Sequence, residues 1–248
     1  MNLAGAVVIV TGGGAGLGFA IAAALKKVEA VPVILDRDRD VLDAAAKQLD
    51  CPGYEIDVTD PVAIDAVLAA VCEQHGVPQG LVNNAGILRS APLLSLGNTE
   101  NPRHSIELWD AVLAANLTSV FLVTRAVADR MVRQRVRGAI VSMSSVAARG
   151  NAGQTAYAAA KAGVEAMTRV WARELGPLGL RFVAVAPGYV DTPSTRAAVP
   201  EDILETLRRE TPLRRLGKPE QIADTVLYAL CNDMVTGAVL AVDGGLVI

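Results

Sequence analysis

The sequence is poor in aromatic residues, poor in cysteine, and has no strong excess of charge of either sign. Phe, Trp and Tyr together make up 4% of the 248 residues, so Ala, Val and Leu must supply most of the core. A formal net charge of -3 offers no general attraction for nucleic acid or for an anionic membrane surface. The three cysteines, Cys51, Cys72 and Cys231, are scattered and odd in number, which favours free thiols in a reducing cytoplasm over a disulfide framework.

Long apolar runs and targeting segments are also lacking. The apolar run at residues 7–10 is far shorter than the roughly 18 residues that a membrane span needs, and no signal-peptide pattern opens the chain. We therefore expect a cytoplasmic protein without a nucleic-acid or membrane partner, and no metal site is predicted. At this length a single domain, residues 1–248, is the simplest division of the chain.

Short apolar segments alternate with helical patterns along the whole chain. Residues 5–10 form a continuous apolar run, as expected for a strand that is buried on both faces of a parallel sheet. Similar predicted strands at residues 31–35, 139–143 and 181–186 are separated by helical patterns. This alternation predicts an α/β fold with one doubly wound parallel sheet. Ligands of such sheets bind beyond the carboxyl ends of the strands.

A glycine-rich turn at residues 11–18 links the first predicted strand to the first predicted helix. Its spacing is T-G-x-x-x-G-x-G, with glycines at Gly12, Gly16 and Gly18. Glycines there let the backbone approach a pyrophosphate, which rests on the N-terminus of the helix. A plain tight turn is the alternative for such a motif alone. Its position between a strand and a helix favours dinucleotide binding.

The second predicted strand is followed by Asp36, about 20 residues beyond the glycines. A carboxylate at this position accepts hydrogen bonds from the adenosine ribose. It also repels a 2′-phosphate, which favours NAD over NADP. Arg37 follows directly and is able to pair with that phosphate, so the use of NADP stays open. Asp57, after the third predicted strand, either caps the next helix or contacts the adenine.

Reactive side chains are concentrated in residues 142–163. Tyr157 and Lys161 are four residues apart and therefore share one face of a helix. A cation beside a phenol lowers the pKa of the phenol, which would make Tyr157 an acid–base group. A chance pair of ordinary helix residues is the alternative. Ser144 follows the predicted strand at residues 139–143 and reaches the same edge of the sheet.

Three further segments are candidates for function. Asn116 lies among apolar residues in the predicted helix at residues 107–133, where it either caps a kink or holds a water molecule. The loop at residues 87–106 is long and irregular, which is typical of functional or mobile loops. Its cations are candidates to face a phosphate-bearing ligand, although such residues are more often solvated: Arg89, Arg103 and His104. Residues 194–209 have the interrupted helical pattern of a mobile lid.

Together these motifs resemble the short-chain dehydrogenase/reductase family over essentially the whole chain. The matching segments are residues 11–18, 57–58, 83–86, 157–161 and 243–245, with Asn116, Ser144, Pro187, Gly188 and Thr192. The resemblance implies a Rossmann fold and an NAD-dependent oxidoreductase that interconverts a secondary alcohol and a ketone. It also implies a homotetramer, built through the helices that carry Asn116 and Tyr157 and through the C-terminal segment.

The family's functional residues map onto this chain as two sets. The implied catalytic tetrad is Asn116, Ser144, Tyr157 and Lys161. Ser144 is preferred to Ser145 because the family serine lies thirteen positions before the tyrosine. In this scheme Tyr157 takes the proton of the alcohol, and Lys161 lowers the pKa of Tyr157. Ser144 fixes the substrate oxygen, and Asn116 holds a water molecule. The implied cofactor residues are Gly12, Ala15, Gly16, Leu17, Gly18, Asp36, Arg37, Asp57, Val58, Asn84, Ala85, Gly86, Tyr157, Lys161, Pro187, Gly188, Val190 and Thr192.

The substrate is less determined than the reaction. The length and position of the loop at residues 87–106, and the stretches at residues 145–148 and 153–157, are similar to type II 3-hydroxyacyl-CoA dehydrogenases. This similarity implies a 3-hydroxyacyl-CoA or another 3-hydroxy substrate. Small, cyclic or steroid-like ketones are alternative substrates. A 3-oxoacyl carrier protein is another, but the reductases that act on it usually prefer NADPH, and Asp36 argues against NADPH. A dinucleotide sensor without turnover is a different class, but such relatives typically lack the tyrosine or the lysine that this chain has.

Overall fold

Seven parallel strands form one sheet in the computed structural model, which describes residues 1–95, 97 and 100–248; parts of the predicted loop at residues 87–106 therefore lie outside the described residues. In chain order the strands are β1 (Val7–Thr11), β2 (Val31–Asp36), β3 (Gly53–Glu55), β4 (Gly80–Asn83), β5 (Gly138–Met143), β6 (Leu180–Pro187) and β7 (Ala238–Val242). Their order across the sheet is β3-β2-β1-β4-β5-β6-β7. The strand order reverses between β1 and β4, which opens a crevice at the carboxyl edge. The predicted fold class is confirmed.

Helices cover both faces of the sheet. In chain order they are α1 (Gly16–Lys27), α2 (Arg39–Leu49), α3 (Pro61–His75), α4 (Ile106–Leu113), α5 (Ser119–Arg133), α6 (Thr155–Leu175), α7 (Pro193–Ala198), α8 (Glu201–Glu210) and α9 (Pro219–Cys231). On one face α1 packs against α9, and on the other face α3 packs against α5. The segment that was predicted to be a lid contains α7 and α8.

The two faces of the sheet carry separate hydrophobic cores. Successive side chains of a strand point to opposite faces, so Val8 and Val10 of β1 enter the core beneath α1 and α9. Val7 and Ile9 enter the core beneath α3 and α5. Aliphatic side chains dominate both cores, as the scarcity of aromatic residues requires. Phe182 of β6 is among the largest fully buried side chains.

The exit of α1 is unusual, as the missing glycine after Lys27 predicts. Glu29 has a φ of +60°, in the left-handed region that favours glycine. Its N–H donates to the Lys26 carbonyl at 3.0 Å, and the Ala30 N–H donates to the Leu25 carbonyl at 3.1 Å. Glu29 therefore occupies the position after the helix where glycine is usual. Its left-handed backbone conformation costs about 1 kcal/mol.

The predicted helix at residues 107–133 is interrupted by a π-helical turn at Ala114–Thr118, between α4 and α5. Within the described part of the chain, Ile106–Arg133 is the one helix long and apolar enough to cross a membrane by length and composition. Polar residues such as Asn116 and Ser119 interrupt its apolar residues, so the predicted lack of a long unbroken apolar run still holds. Half of its apolar window is buried inside the fold, where α5 packs against α3, β4 and β5. It is the core helix of an α/β domain.

Candidate active site

The glycine turn after β1 is shaped by close contacts with its surroundings. Gly12 has a φ of +61°, and a Cβ atom at this position would lie 2.9 Å from the Cα atom of Ala85. A Cβ atom on Gly18 would fall on the carbonyl oxygen of Gly12. The turn therefore depends on glycine at both positions, which bring α1 and the loop after β4 close to the end of β1.

Hydrogen bonds lock the glycine turn to the loop after β4. The buried hydroxyl of Thr11 accepts from the N–H groups of Asn84 and Ala85, both at 3.0 Å. In return the Asn84 side-chain amide donates to the carbonyls of Thr11 and Gly12, again at 3.0 Å. The amide nitrogen of Asn84 is thus used to hold the turn. The two loops on either side of the crevice form one rigid unit.

A cavity of ≈ 730 Å³ follows the carboxyl edge of the sheet from this turn to α6. The cavity is lined by most of the residues predicted to bind the cofactor: Gly12, Ala15, Gly16, Leu17, Asp36, Arg37, Asp57, Val58, Asn84, Ala85, Gly86, Tyr157, Lys161, Pro187 and Thr192. Gly18 is not among the described lining residues; it contacts the Gly12 carbonyl instead. Gly188 and Val190 line an adjoining cavity of ≈ 140 Å³ instead.

Carboxylates mark the end of the large cavity near β2 and β3. One oxygen of Asp36 accepts from the Gly14 N–H at 3.0 Å, so this carboxylate is fixed against the glycine turn. Asp57 accepts from the N–H and the hydroxyl of Thr59 at 2.9 and 2.7 Å. These bonds, helped by the nearby charge of Arg37, lower the pKa of Asp57. The cap of α3 is Asp60 rather than Asp57.

Tyr157 and Lys161 share one face of α6, as their spacing predicts. The Lys161 ammonium lies 5.6 Å from the centre of the Tyr157 ring and donates to the Met143 carbonyl at 2.7 Å. Burial lowers the pKa of Lys161 to about 8. Burial also raises the pKa of Tyr157 to about 12, although a hydrogen bond from Ser145 opposes this rise. The predicted fall in the Tyr157 pKa is therefore wrong, because desolvation of the phenolate dominates.

Ser145, rather than the predicted Ser144, faces Tyr157. The Ser144 hydroxyl is buried, donates to a carboxylate oxygen of Glu165 at 2.9 Å, and is not among the described atoms that line either cavity. Ser145 lines the small cavity together with Tyr157. Adjacent residues of an extended chain point to opposite sides, so a difference of one position changes the assignment. The similarity of residues 145–148 to a known subgroup, which begins at Ser145, is the sequence signal that would have found it.

Comparisons with known proteins find matches over nearly the whole chain. A family model described as enoyl-(acyl carrier protein) reductase matches residues 12–247. The 3-oxoacyl-(acyl-carrier-protein) reductase FabG of Thermotoga maritima is 41% identical over 100% of both chains. The (3R)-3-hydroxyacyl-CoA dehydrogenase of Canis lupus familiaris is 36% identical, over 99% of this chain and 98% of its own. The acetoacetyl-CoA reductase of a Synechocystis strain is 38% identical, over 98% and 97%.

This chain belongs to the short-chain dehydrogenase/reductase family. The resemblance seen in its motifs is confirmed by the match over residues 12–247. As a member of the family it is an oxidoreductase that acts on CH–OH groups with a nicotinamide cofactor and interconverts a secondary alcohol and a ketone. The glycine turn, the fixed carboxylate of Asp36 and the long cavity between them fit such a dinucleotide.

In this short-chain dehydrogenase/reductase, Asn116 holds the π-helical turn and the loop after β4. Its side-chain amide donates to the carbonyls of Ile87 and Val112, both at 3.0 Å, and its oxygen accepts from the Ile87 N–H at 3.2 Å. Capping of a kink, one of the two predicted roles, is therefore what the side chain does. Both amide hydrogens of Asn116 are donated to backbone carbonyls. They are therefore not available to bind the predicted water molecule.

Substrate-side residues were largely missed by sequence reasoning. The small cavity is lined by Ser145, Asn151, Gln154 and Tyr189, and it meets the large cavity at Tyr157. The amide and phenol groups come from the loop after β5 and the loop after β6. No periodic pattern distinguishes such residues in a sequence, because the two loops meet only in the folded chain.

The described residues on the two sides of the predicted loop at residues 87–106 pair with each other beside this cavity. Leu94 and Arg103 form an isolated antiparallel bridge between its two arms. Of the three predicted phosphate-contacting candidates, Arg89 lines the large cavity. Arg103 and His104 belong to the paired arm and are not among the described residues that line either cavity.

We expect Thr11→Val to lower the free energy of unfolding by about 2–4 kcal/mol, because two partly buried N–H groups lose their acceptor while the shape of the side chain is kept. Chemical denaturation measures the change. Thr168→Val is the matched control, since the buried Thr168 hydroxyl donates only within its own helix, to Val164 at 2.8 Å. Equal destabilisation by the two substitutions would show that the Thr11 hydroxyl does not hold the two loops together.

Proposed function

We propose that this enzyme interconverts 3-oxoacyl and (3R)-3-hydroxyacyl thioesters and that its cofactor is NAD. The observation that carries the proposal is the position of Tyr157, which lines both cavities. Among the described lining residues, Lys161 belongs only to the large cavity and Ser145 only to the small cavity. The proton-transferring phenol therefore lies between a dinucleotide-sized space and a space for a small polar head group.

The substrate class is supported by what the relatives are named for. The reductase from Thermotoga maritima, the dehydrogenase from Canis lupus familiaris and the reductase from Synechocystis all act on a 3-oxo or 3-hydroxy group of an acyl thioester. They differ in the carrier, which is acyl carrier protein or coenzyme A. Their identity of 36–41% over essentially full length supports the shared head group more strongly than either carrier.

Tyr157 and Ser145 perform the acid–base part of the reaction in this proposal. A bound nicotinamide would supply the hydride chemistry at C3 of the substrate. In reduction the Tyr157 hydroxyl gives its proton to the C3 oxygen as the carbonyl becomes an alcohol, and in oxidation the proton returns. The Ser145 hydroxyl donates a hydrogen bond to the same oxygen and stabilises the charge that develops there.

The raised pKa of Tyr157 keeps the phenol in its protonated form, which is the form that reduction requires. A phenol whose pKa is about 12 is protonated at neutral pH, so it is ready to act as an acid. Oxidation would require the phenolate, which burial disfavours. Lys161, held by the Met143 carbonyl, supplies a buried positive charge beside the phenol and stabilises the phenolate that remains after proton donation.

We propose NAD rather than NADP as the cofactor because of the position of Asp36. Its carboxylate lines the cavity and is fixed by the Gly14 N–H, at the place where an adenosine ribose would be bound. A 2′-phosphate would meet this negative charge. Arg37 lines the same part of the cavity, and it is the group that would bind the phosphate if the carboxylate charge were removed.

Assembly and location are also proposals. We infer a cytoplasmic homotetramer, since the helices that the family uses for assembly carry exposed apolar side chains. Phe121 of α5 is 42% exposed and Val170 of α6 is 49% exposed. Burial of these side chains against another copy would remove apolar surface from water.

The proposed reaction is tested by following reduced nicotinamide in the presence of acetoacetyl-CoA, a 3-oxoacyl carrier protein, and simple or cyclic ketones. We expect kcat/KM for one or both thioesters to exceed that for the simple ketones by at least about tenfold. Tyr157→Phe should lower kcat by about 10²–10⁴-fold and leave cofactor binding intact. Absence of thioester turnover, or ordinary turnover by Tyr157→Phe, would contradict the proposal.

The serine assignment is tested by comparing two neighbouring substitutions. Ser145→Ala should lower kcat/KM by about 10²-fold or more, because a hydrogen bond to the reacting oxygen is lost. Ser144→Ala should leave kcat within a few-fold and lower the free energy of unfolding by about 1 kcal/mol, because only the bond to Glu165 and the long contact with the Lys161 carbonyl are lost. The opposite ranking of the two kcat/KM values would restore Ser144 as the catalytic serine.

The cofactor assignment is tested by Asp36→Asn. We expect the ratio of kcat/KM with NADP to that with NAD to rise by at least about tenfold, since like charges a few ångströms apart repel by about 1–4 kcal/mol. Adding Arg37→Gln to this variant should reverse most of the gain. Asp40→Asn, an exposed change nearby, is the control. A ratio that Asp36→Asn leaves unchanged would count against Asp36 as the discriminating residue.

A further inference from the structure

We propose that the Tyr189 hydroxyl is a second oxygen-binding group of this active site, which donates a hydrogen bond to the thioester carbonyl of a 3-oxoacyl substrate. The inference rests on the proposed function, because it requires a substrate with a carbonyl at C1 as well as the reacting carbonyl at C3. It adds a recognition element for the substrate class and leaves the acid–base chemistry with Tyr157 and Ser145.

Tyr189 lies at the reacting end of the substrate space. It lines the small cavity together with Tyr157 and Ser145. The two phenols are close enough that a charge on Tyr189 would raise the pKa of Tyr157. Its backbone is fixed as well, since the Gly217 N–H donates to the Tyr189 carbonyl at 2.9 Å. A group bound by Tyr157 and Ser145 is therefore a near neighbour of the Tyr189 hydroxyl.

The hydrogen bonds described for Tyr189 leave its hydroxyl able to act as a donor. The Asn151 side-chain nitrogen donates to the Tyr189 oxygen at 3.2 Å and to the Gln154 side-chain oxygen at 3.1 Å. The Gln154 nitrogen then donates to the Ser90 hydroxyl at 3.3 Å. Since an amide nitrogen only donates, Tyr189 accepts from Asn151 and keeps its own hydrogen for another partner.

The aromatic ring of Tyr189 is held by the region that contains α8. It packs against a small apolar cluster formed by Leu204, Leu207 and Leu216. The ring is therefore oriented by apolar contacts on one side, and the hydroxyl by Asn151 on the other. A donor that is oriented before the substrate arrives loses little entropy on binding, which makes its hydrogen bond effective.

A 3-oxoacyl thioester presents two carbonyl oxygens, separated by one CH₂ group. Tyr157 and Ser145 provide two hydroxyl groups for the C3 oxygen, and Tyr189 provides a third hydroxyl for the C1 oxygen. A simple ketone has no second oxygen and would leave the Tyr189 hydrogen without its acceptor. A site that is built to hydrogen-bond a substrate group discriminates against analogues that lack it.

The experiment compares acetoacetyl-CoA with S-(3-oxobutyl)-CoA, in which a CH₂ group replaces the thioester carbonyl. Tyr189→Phe should lower kcat/KM for acetoacetyl-CoA by about fivefold to tenfold and change kcat/KM for S-(3-oxobutyl)-CoA by less than about twofold. Asn151→Ala should act in the same direction, because it removes the group that orients the phenol. The double variant should be little worse than Tyr189→Phe alone, since both changes remove one interaction.

A second asparagine–tyrosine hydrogen bond, on the protein surface, provides the control for the Asn151–Tyr189 pair. The Asn232 side chain donates to the exposed Tyr228 hydroxyl at 3.0 Å near the C-terminal end of α9, so Tyr228→Phe removes the same kind of group outside the cavities described above. It should leave both substrates unaffected. Melting temperatures of Tyr189→Phe and Tyr228→Phe should agree within a few degrees, which separates a loss of binding from a loss of folding.

The outcomes distinguish this inference from the function on which it rests. A selective loss on acetoacetyl-CoA supports the role of Tyr189. Equal losses on both substrates, or no loss on either, would overturn that role while the enzyme still reduces the thioester. If the unaltered enzyme fails to reduce acetoacetyl-CoA but reduces S-(3-oxobutyl)-CoA, the proposed function and the Tyr189 subsite both fall.

Discussion

The ammonium of Lys161 is buried at the carboxyl edge of the sheet, where its hydrogen bond to the Met143 carbonyl joins α6 to the end of β5. A buried charge is costly unless it is paired or hydrogen-bonded, and the lowered pKa of Lys161, about 8, reflects that cost. The bond fixes how α6 lies on the sheet. It thereby brings Tyr157, one helical turn earlier, to the boundary between the two cavities, with Ser145 opposite.

The same burial sets the chemistry of the phenol. Desolvation raises the pKa of Tyr157 to about 12, so the phenol is stable in its neutral form beside a lysine that is itself desolvated. In the folded protein the Tyr157 phenol thus acts as a proton donor, and the Lys161 ammonium acts as a stabilising cation. The surrounding loops must be rigid for this arrangement to persist, and their rigidity comes from shared hydrogen bonds, in which Thr11, Asn84 and Asn116 use their polar atoms on backbone groups.

Sequence reasoning succeeded where a short-range pattern fixes the answer. The four-residue spacing of Tyr157 and Lys161 predicted their shared helix face, and the glycine turn between strand and helix predicted most of the cavity lining. It failed for Ser144 because counting positions along a family motif does not show which side of the strand end a hydroxyl faces. It failed for the pKa of Tyr157 because the proximity of a cation is visible in the spacing, whereas desolvation depends on every element that packs around the phenol.

Local periodicity and residues that are neighbours in the chain were therefore enough to predict the α/β class, the order of strands and helices and the Tyr157–Lys161 pair. Only the folded chain shows that Asn84 and Asn116 hold loops in place and that Tyr189 lies beside Tyr157 in the substrate cavity. Each of these depends on contacts between segments far apart in the sequence. Such contacts are fixed by the packing of helices on the sheet, which no local pattern records.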